Sequence, residues 1–220
     1  MARRSPPPDI PPDPTLEFER ALWAQGAAPV AGLDEAGRGA WAGPVCAAAV
    51  TLPADEGVLE RLRGVRDSKL MSARARGEMA ERIRAEALGW GVGFASHAEI
   101  DTLGIVPATR LAMRRALEMC GFQPAHLLID ALKLPGLAVP QTALIKGDRR
   151  VLSIAAASVL AKTERDAFMV ELDRQYPGYG FARHKGYGTA VHQSALASLG
   201  PCPVHRLSFA PLRSALPVRN

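Results

Sequence analysis

Four acids in this chain of 220 residues stand where acids are uncommon. Asp34 and Glu35 lie side by side in "AGLDEAG", Asp130 in "LLIDAL" and Asp148 in "LIKGD", each in or just after an apolar run of strand length. A buried carboxylate without a partner costs several kcal/mol, so each position needs a reason. A lone acid of this kind usually caps a helix or pairs with an arginine, and Asp148, shortly before a long helical stretch, is open to the capping reading. Three separate strands each delivering an acid at or near its end point instead to a shared site, because functional groups gather at the carboxyl ends of strands in open α/β sheets. Carboxylates brought together repel unless a cation intervenes, and ligands made only of oxygen select Mg²⁺ or Mn²⁺. A metal site therefore ranks ahead of scattered structural acids.

Asp34 and Glu35 meet a geometric objection, since neighbours on a regular strand point to opposite faces. Gly37 and Gly39, on either side of Arg38, ease it: the strand is expected to end and twist where the pair occurs. Asp34 would then project from the sheet face and Glu35 swing in from the strand end. The same glycines let backbone amides approach a ligand closely, a weak signal alone that gains force from the acids beside it.

The positioning elements follow from periodicity. "PVAGLDEAG" and "GPVCAAAVTLP" read as a hairpin joined by a glycine-rich turn, and "WGVGFAS", "AHLLIDALKL" and "TALIKGD" as further strands. "TLEFERALWAQG", "SKLMSARARGEMAERIRAEALG", "VPATRLAMRRALEMCG", "LSIAAASVLAKTERDAFMVELDRQY" and "GTAVHQSALASLG" read as helices. A hairpin followed by alternating helices and strands implies a mixed sheet covered by helices, the α/β class. Six of the 18 prolines fall in the first 14 residues, so residues 1–24 are expected to be a proline-rich disordered tail and the start of a short helix. A single domain is expected over 28–213, and a second tail over 214–220.

Composition bounds the function classes. Three scattered cysteines (Cys46, Cys120, Cys202) without C-x-x-C spacing argue against a disulfide framework or a zinc site and fit a cytoplasmic protein. The longest uncharged stretch, residues 39–54, is too short to span a bilayer and no secretory signal is visible, so no membrane partner is expected. The net charge of +5 hints at a polyanion, and its distribution says more. From Arg174 to Asn220 there is no acid, and all three tyrosines fall inside "YPGYGFARHKGY", beside Arg183 and Lys185. Rings interleaved with cations suit stacking beside phosphate contacts, and equally a solvated basic loop with packing tyrosines.

"GLDEAGRGAWAGPVCAAAV", "DSK", "LLIDAL", "IKGD", "SIAAASVLAK" and "GYGFARHKGYGT" followed by "HRLSF" resemble, in order, the type 2 ribonuclease H family, ribonuclease HII. The resemblance covers residues 30 to about 210 and implies an RNase H-like mixed β-sheet flanked by helices, a single domain with a helical C-terminal extension. It also implies an endonuclease that cuts the RNA strand of RNA–DNA hybrids, including single ribonucleotides embedded in duplex DNA. Carried over by motif, Asp34, Glu35, Asp130 and Asp148 are the catalytic acids, holding two divalent ions, Mn²⁺ or Mg²⁺. Gly37, Arg38 and Gly39 form the turn that reads the 2′-hydroxyl, and Tyr187 the ring that stacks on the deoxyribose at the junction. Lys69, Ser158 and Lys162 contact or brace the nucleic-acid backbone. His184, His192 and His205 are structural or close to substrate rather than catalytic. Ala131 departs from the family, which often has glycine after the third acid. The chain is expected to act as a monomer and carries no glutamine-plus-aromatic sliding-clamp peptide. Two rival readings are the sister type 3 family, whose extra N-terminal domain the 29 residues before Val30 are too few to form, and a non-catalytic hybrid-binding module of the same fold.

Overall fold

The computed structural model describes residues 10–213, so residues 1–9 of the N-terminal segment expected over 1–24, and the whole tail expected at 214–220, lie outside the described residues. Its helices and strands run in the order α1 (Glu17–Trp23), β1 (Val30–Ala36), β2 (Val45–Thr51), α2 (Gly57–Arg61), α3 (Ala73–Glu86), β3 (Gly89–Ala95), α4 (His97–Leu103), α5 (Ile105–Met119), β4 (His126–Asp130), β5 (Gln141–Leu144), α6 (Leu152–Gln175), α7 (Phe181–His184), α8 (Ala190–Leu199) and α9 (Ala210–Arg213). Short 3₁₀ turns at Ser68–Leu70 and Gly147–Arg149 complete it.

The sheet is mixed, as expected, with strand order β3-β2-β1-β4-β5. β1 is antiparallel to β2 and β2 to β3, whereas β1, β4 and β5 are parallel. Every residue of β2 is buried, and its run of alanines leaves both faces shallow. α6 and α3 cover one face and α5 the other, each closing its own apolar core. Alternation along β1 decides what meets what: Leu33 joins the α5 side, while residues 32 and 34 turn towards α6.

Several expectations change in detail. The "TALIKGD" strand stops at Leu144 because Lys146 takes a left-handed φ of 56°, and Asp148 lies in the 3₁₀ turn that follows. Asp148 does not cap α6, whose N-cap is Val151 without a side-chain bond. Glu19 of α1 serves that helix end instead, its Oε1 accepting from the Ser153 N–H at 2.9 Å. Leu16 is fully buried in the main core, so the segment placed before residue 28 packs against the same body. The helix read from residue 68 begins as a 3₁₀ turn and restarts at Ala73 under the Ser72 cap.

Candidate active site

β1 brings Asp34 against α6. A Cβ on Gly32 would stand 2.2 Å from the Ser153 carbonyl carbon, so α6 lies directly on the β1 backbone. Two residues further along the same face, Asp34 is 4% exposed, its Oδ1 accepts from the Glu35 N–H at 2.7 Å, and the Ser158 side chain of α6 favours its charge. The Ser158 hydroxyl is also 3.0 Å from that of Ser68, in the 3₁₀ turn before α3. Ser158, only 3% exposed, lies within the fold beside Asp34 and is not among the residues that line the cleft described below.

The strand does not end at the acid pair as expected. β1 stays paired with β2 through Ala36 opposite Cys46, while its ladder with β4 stops at Leu33 opposite Ile129. The β4-side edge of β1 is therefore unladdered from Asp34 onward, where Asp130 acts on the charge of both Asp34 and Glu35. Arg38 Nη1 donates to Glu35 Oε1 at 3.1 Å, and Glu35 Oε2 is buried without a partner. Asp130 closes β4, and its Oδ1 accepts from the Gly147 N–H at 2.7 Å, tying it to the turn that carries Asp148. Ala131, next along, has a φ of 53°, the left-handed region that favours glycine. The family's glycine at this position thus has a backbone reason, and alanine holds the same turn under strain.

Burial pushes all four carboxyls upward, and neighbouring acids add to it. Burial raises Asp34 well above the usual carboxylate range, with Glu35, Asp130 and Asp148 adding to it and Ser158 opposing. Burial also raises Glu35 against the opposing pull of Arg38, and Asp130 against that of the Gly147 N–H. Asp148 is pushed up to about 6 by burial, then by Asp130 and Asp67. Lys69 sits in the same field: burial works against its charge, yet Asp67, Asp34, Asp148 and Asp130 together hold its pKa above the ordinary value. Among the described residues no three acid, histidine or cysteine side chains close around one point as a ready-made ion cage. The acids instead share an electrostatic field that Lys69 and Arg38 offset only in part, since all four stay raised.

Beside them opens a cleft of about 720 Å³ lined by Glu35, the Gly37–Arg38–Gly39 turn, Lys69, Lys162, Arg183, Lys185 and Tyr187. The residues assigned to substrate therefore share one cleft, Ser158 excepted, and of the four acids it is Glu35 that lines it. Lys162 Nζ donates to Asp166 Oδ1 at 2.6 Å and stands 5.9 Å from the centre of the Tyr187 ring. Of the other tyrosines, Tyr179 is buried and Tyr176 packs against the same small core, so the packing reading holds for both.

The sequence reading passed over two buried arginines. Arg165, fully buried on α6, donates from Nε to the Pro44 carbonyl at 2.9 Å, from Nη1 to that of Lys185 at 3.0 Å and from Nη2 to that of Ala42 at 3.3 Å. Its guanidinium lies 5.5 Å from the Tyr187 ring centre. Arg206 donates from Nε to the Gly43 carbonyl and from Nη1 to that of Arg38, both at 2.9 Å. Burial lowers its pKa to about 9, and it serves as an internal brace, not a phosphate contact. The signal for Arg165 was available, since it falls on the inward stripe Ala161, Met169, Leu172 of α6.

A family model described as Ribonuclease HII matches residues 31–212. The chain is 53% identical over 204 residues to a ribonuclease HII of Chloroflexus aurantiacus, covering 92% of this chain and 96% of that protein. Its fold is similar to that of ribonuclease H2 from Pyrococcus horikoshii, with a TM-score of 0.71 and 24% identity, over 84% of this chain and 96% of the other. It is also similar to Bst-RNase HIII in complex with Mn²⁺, with a TM-score of 0.66 and 22% identity over 86% and 69% of the two chains.

Proposed function

Because the chain belongs to the ribonuclease HII family, we propose that its cleft takes an RNA–DNA duplex and cuts the RNA strand, at a single ribonucleotide embedded in DNA as well as along a uniform hybrid. The chain is a metal-dependent endoribonuclease. The observation that carries the finer reading is the gathering of four acids from two strands and the turn after a third, in one another's field, next to one cleft that holds a glycine–arginine–glycine turn and an aromatic ring.

The acids suit divalent cations: they are oxygen donors only, burial raises each of them, and Glu35 Oε2 is buried without a partner. Asp34, Glu35, Asp130 and Asp148 would hold two ions, Mn²⁺ or Mg²⁺. Bound there, such ions supply an activated water and neutralise the departing 3′-oxygen, leaving 5′-phosphate and 3′-hydroxyl ends. The protein's part is rigidity. The Glu35 amide holds Asp34 and the Gly147 amide holds Asp130, so neither carboxylate must be oriented when substrate arrives. The Gly37–Arg38–Gly39 turn offers backbone groups to the 2′-hydroxyl, both donor and acceptor, and Arg206 holds the turn through the Arg38 carbonyl. Tyr187 stacks on the deoxyribose after the ribonucleotide, and Lys69, Arg183 and Lys185 meet phosphates. No side chain need act as nucleophile.

The catalytic domain is residues 28–213 with α1 packed against it, working as a cytoplasmic monomer; among the described residues no helix is long and apolar enough to cross a membrane. A duplex with one ribonucleotide and a uniform hybrid, each incubated with and without Mg²⁺ or Mn²⁺, test the reading. Cleavage of both, only with the ion present and ending in 5′-phosphate, is expected. Binding without cleavage under every condition would return the chain to the hybrid-binding alternative.

A further inference from the structure

Outside the acids, His184, His192 and His205 pack with Tyr179, Phe181 and Trp41 against the loop that presents Tyr187. His192 Nδ1 lies 3.0 Å from the Tyr187 carbonyl, and its Nε2 lies 3.0 Å from His205 Nε2. The Cys202 N–H donates to His205 Nδ1 at 2.9 Å.

These contacts fix where each proton sits. A carbonyl can only accept, so His192 carries its proton on Nδ1. Burial holds His192 far below the ordinary histidine value, at about 4, so the ring is neutral and its Nε2 is bare. That nitrogen then accepts from His205 Nε2–H. His205, also lowered by burial, is left with a bare Nδ1, which takes the Cys202 N–H. The Cys202 carbonyl, 3.1 Å from the same nitrogen, therefore receives no proton from it. His184, stacked on His192 with ring centres 4.5 Å apart, holds the same loop: its Nδ1 accepts from Gly186 N–H at 3.2 Å, so its Nε2–H donates to the Tyr179 carbonyl at 2.8 Å. The loop has little room to shift, since a Cβ on Gly188 would come within 2.1 Å of the Trp41 ring and one on Gly186 within 2.5 Å of the Ala42 carbonyl oxygen.

We infer that His205 and His192 form a one-way hydrogen-bonded relay that fixes the Tyr187 carbonyl, and with it the ring that meets the substrate at a junction. Both are positioning residues for recognition. The inference rests on the reading of Tyr187 as the stacking ring.

Two measurements test it on the full chain. ¹⁵N-histidine NMR of the substrate-free protein should show His192 as the Nδ1–H tautomer and His205 as the Nε2–H tautomer. His192 protonated on Nε2, or averaging between tautomers, overturns the relay. In cleavage assays, His192→Leu should lower the ratio of single-ribonucleotide to uniform-hybrid rates about three- to tenfold, the size of one lost neutral hydrogen bond. His192→Asn, which keeps a donor near the Nδ1 position, should retain most of that ratio. In a Tyr187→Ala background His192→Leu should change the ratio no further, and an undiminished effect there makes the histidines packing residues and refutes the role. Tyr187→Ala with no effect on the ratio refutes the stacking reading itself and the recognition half of the relay, while the NMR still decides the proton order.

Discussion

Gly37 and Gly39 flank the same arginine, yet the structure asks different things of them, and alanine at each position separates the two. Gly37 has a φ of 92°, where an L side chain costs about 1–2 kcal/mol. A Cβ there would also stand 1.8 Å from Arg165 Nε and 2.5 Å from its Cδ and Cζ. The guanidinium cannot swing aside, since Nε, Nη1 and Nη2 already donate to the carbonyls of Pro44, Lys185 and Ala42. Losing one charged hydrogen bond of this kind costs about 1.5–3 kcal/mol, so Gly37→Ala should destabilise by about 3–5 kcal/mol. For a chain of this size that lowers Tm by about 10 °C or more. The damage should also pass through the Lys185 carbonyl to the Tyr187 loop. At Gly39 nothing lies within 4 Å of an added Cβ and the backbone is not left-handed, so Gly39→Ala should stay within about 0.5 kcal/mol of wild type. Thermal unfolding followed by circular dichroism, with cleavage of a single-ribonucleotide duplex at a temperature where all variants are folded, makes the comparison. A Gly39→Ala variant of normal Tm that cleaves poorly would mark a close approach of substrate to that backbone. Gly37→Ala melting within about 2 °C of wild type, or Gly39→Ala falling as far as Gly37→Ala, would refute the reasoning.

Ala131→Gly should relieve the left-handed strain after Asp130, raising stability by about 0.5–1 kcal/mol once the entropy of the glycine chain is counted, with cleavage unchanged; chemical denaturation checks it. His192 sets a pH dependence: its pKa falls from 6.5 to about 4 in the fold under burial, beside the rings of His184 and His205, so the unfolded chain binds the extra proton first. The stability this contributes is complete above about pH 6.5 and drains away as pH falls towards 4, by up to about 3 kcal/mol at roughly 1.4 kcal/mol per pH unit. Denaturation across that window should show the slope, reduced in His192→Asn. Duplex affinity should fall steeply with salt, and removing charge at Arg183 or Lys185 should flatten the logarithmic slope by up to about one unit each, whereas an unchanged slope would return them to a solvated loop.

Much of this was legible in the chain because the strong signals are local. β1 to β4 and helices α3, α5, α6 and α8 announce themselves by period, and the acids by their contrast with apolar neighbours. Helices α2, α4 and α7 are too short to show a period over the noise of their surroundings. What periodicity cannot carry is pairing over long separations. Glu19 serves the end of a helix more than a hundred residues away, and Ser158 comes beside Asp34 only because α6 lies directly on the β1 backbone at Gly32. Arg165 sits among the charges of "KTERD", and only its spacing from Ala161, Met169 and Leu172 marks it as part of the buried stripe. The end of β1 was misjudged for a related reason: glycines after the acid pair suggested a stop, but β2 continues the ladder to Ala36, and it is the β4 side that opens.

The central claim is that Asp34, Glu35, Asp130 and Asp148 act together, holding the divalent ions that cut the strand. Its most direct measurement is cleavage and binding of a duplex with one ribonucleotide, wild type against Asp34→Asn, in Mg²⁺ or Mn²⁺ at one salt concentration. The account predicts that the variant loses cleavage while its affinity for the duplex stays largely intact, because one charge leaves the acid cluster and the basic cleft remains. Cleavage by Asp34→Asn at a rate near wild type, or loss of duplex binding in step with cleavage, would contradict it.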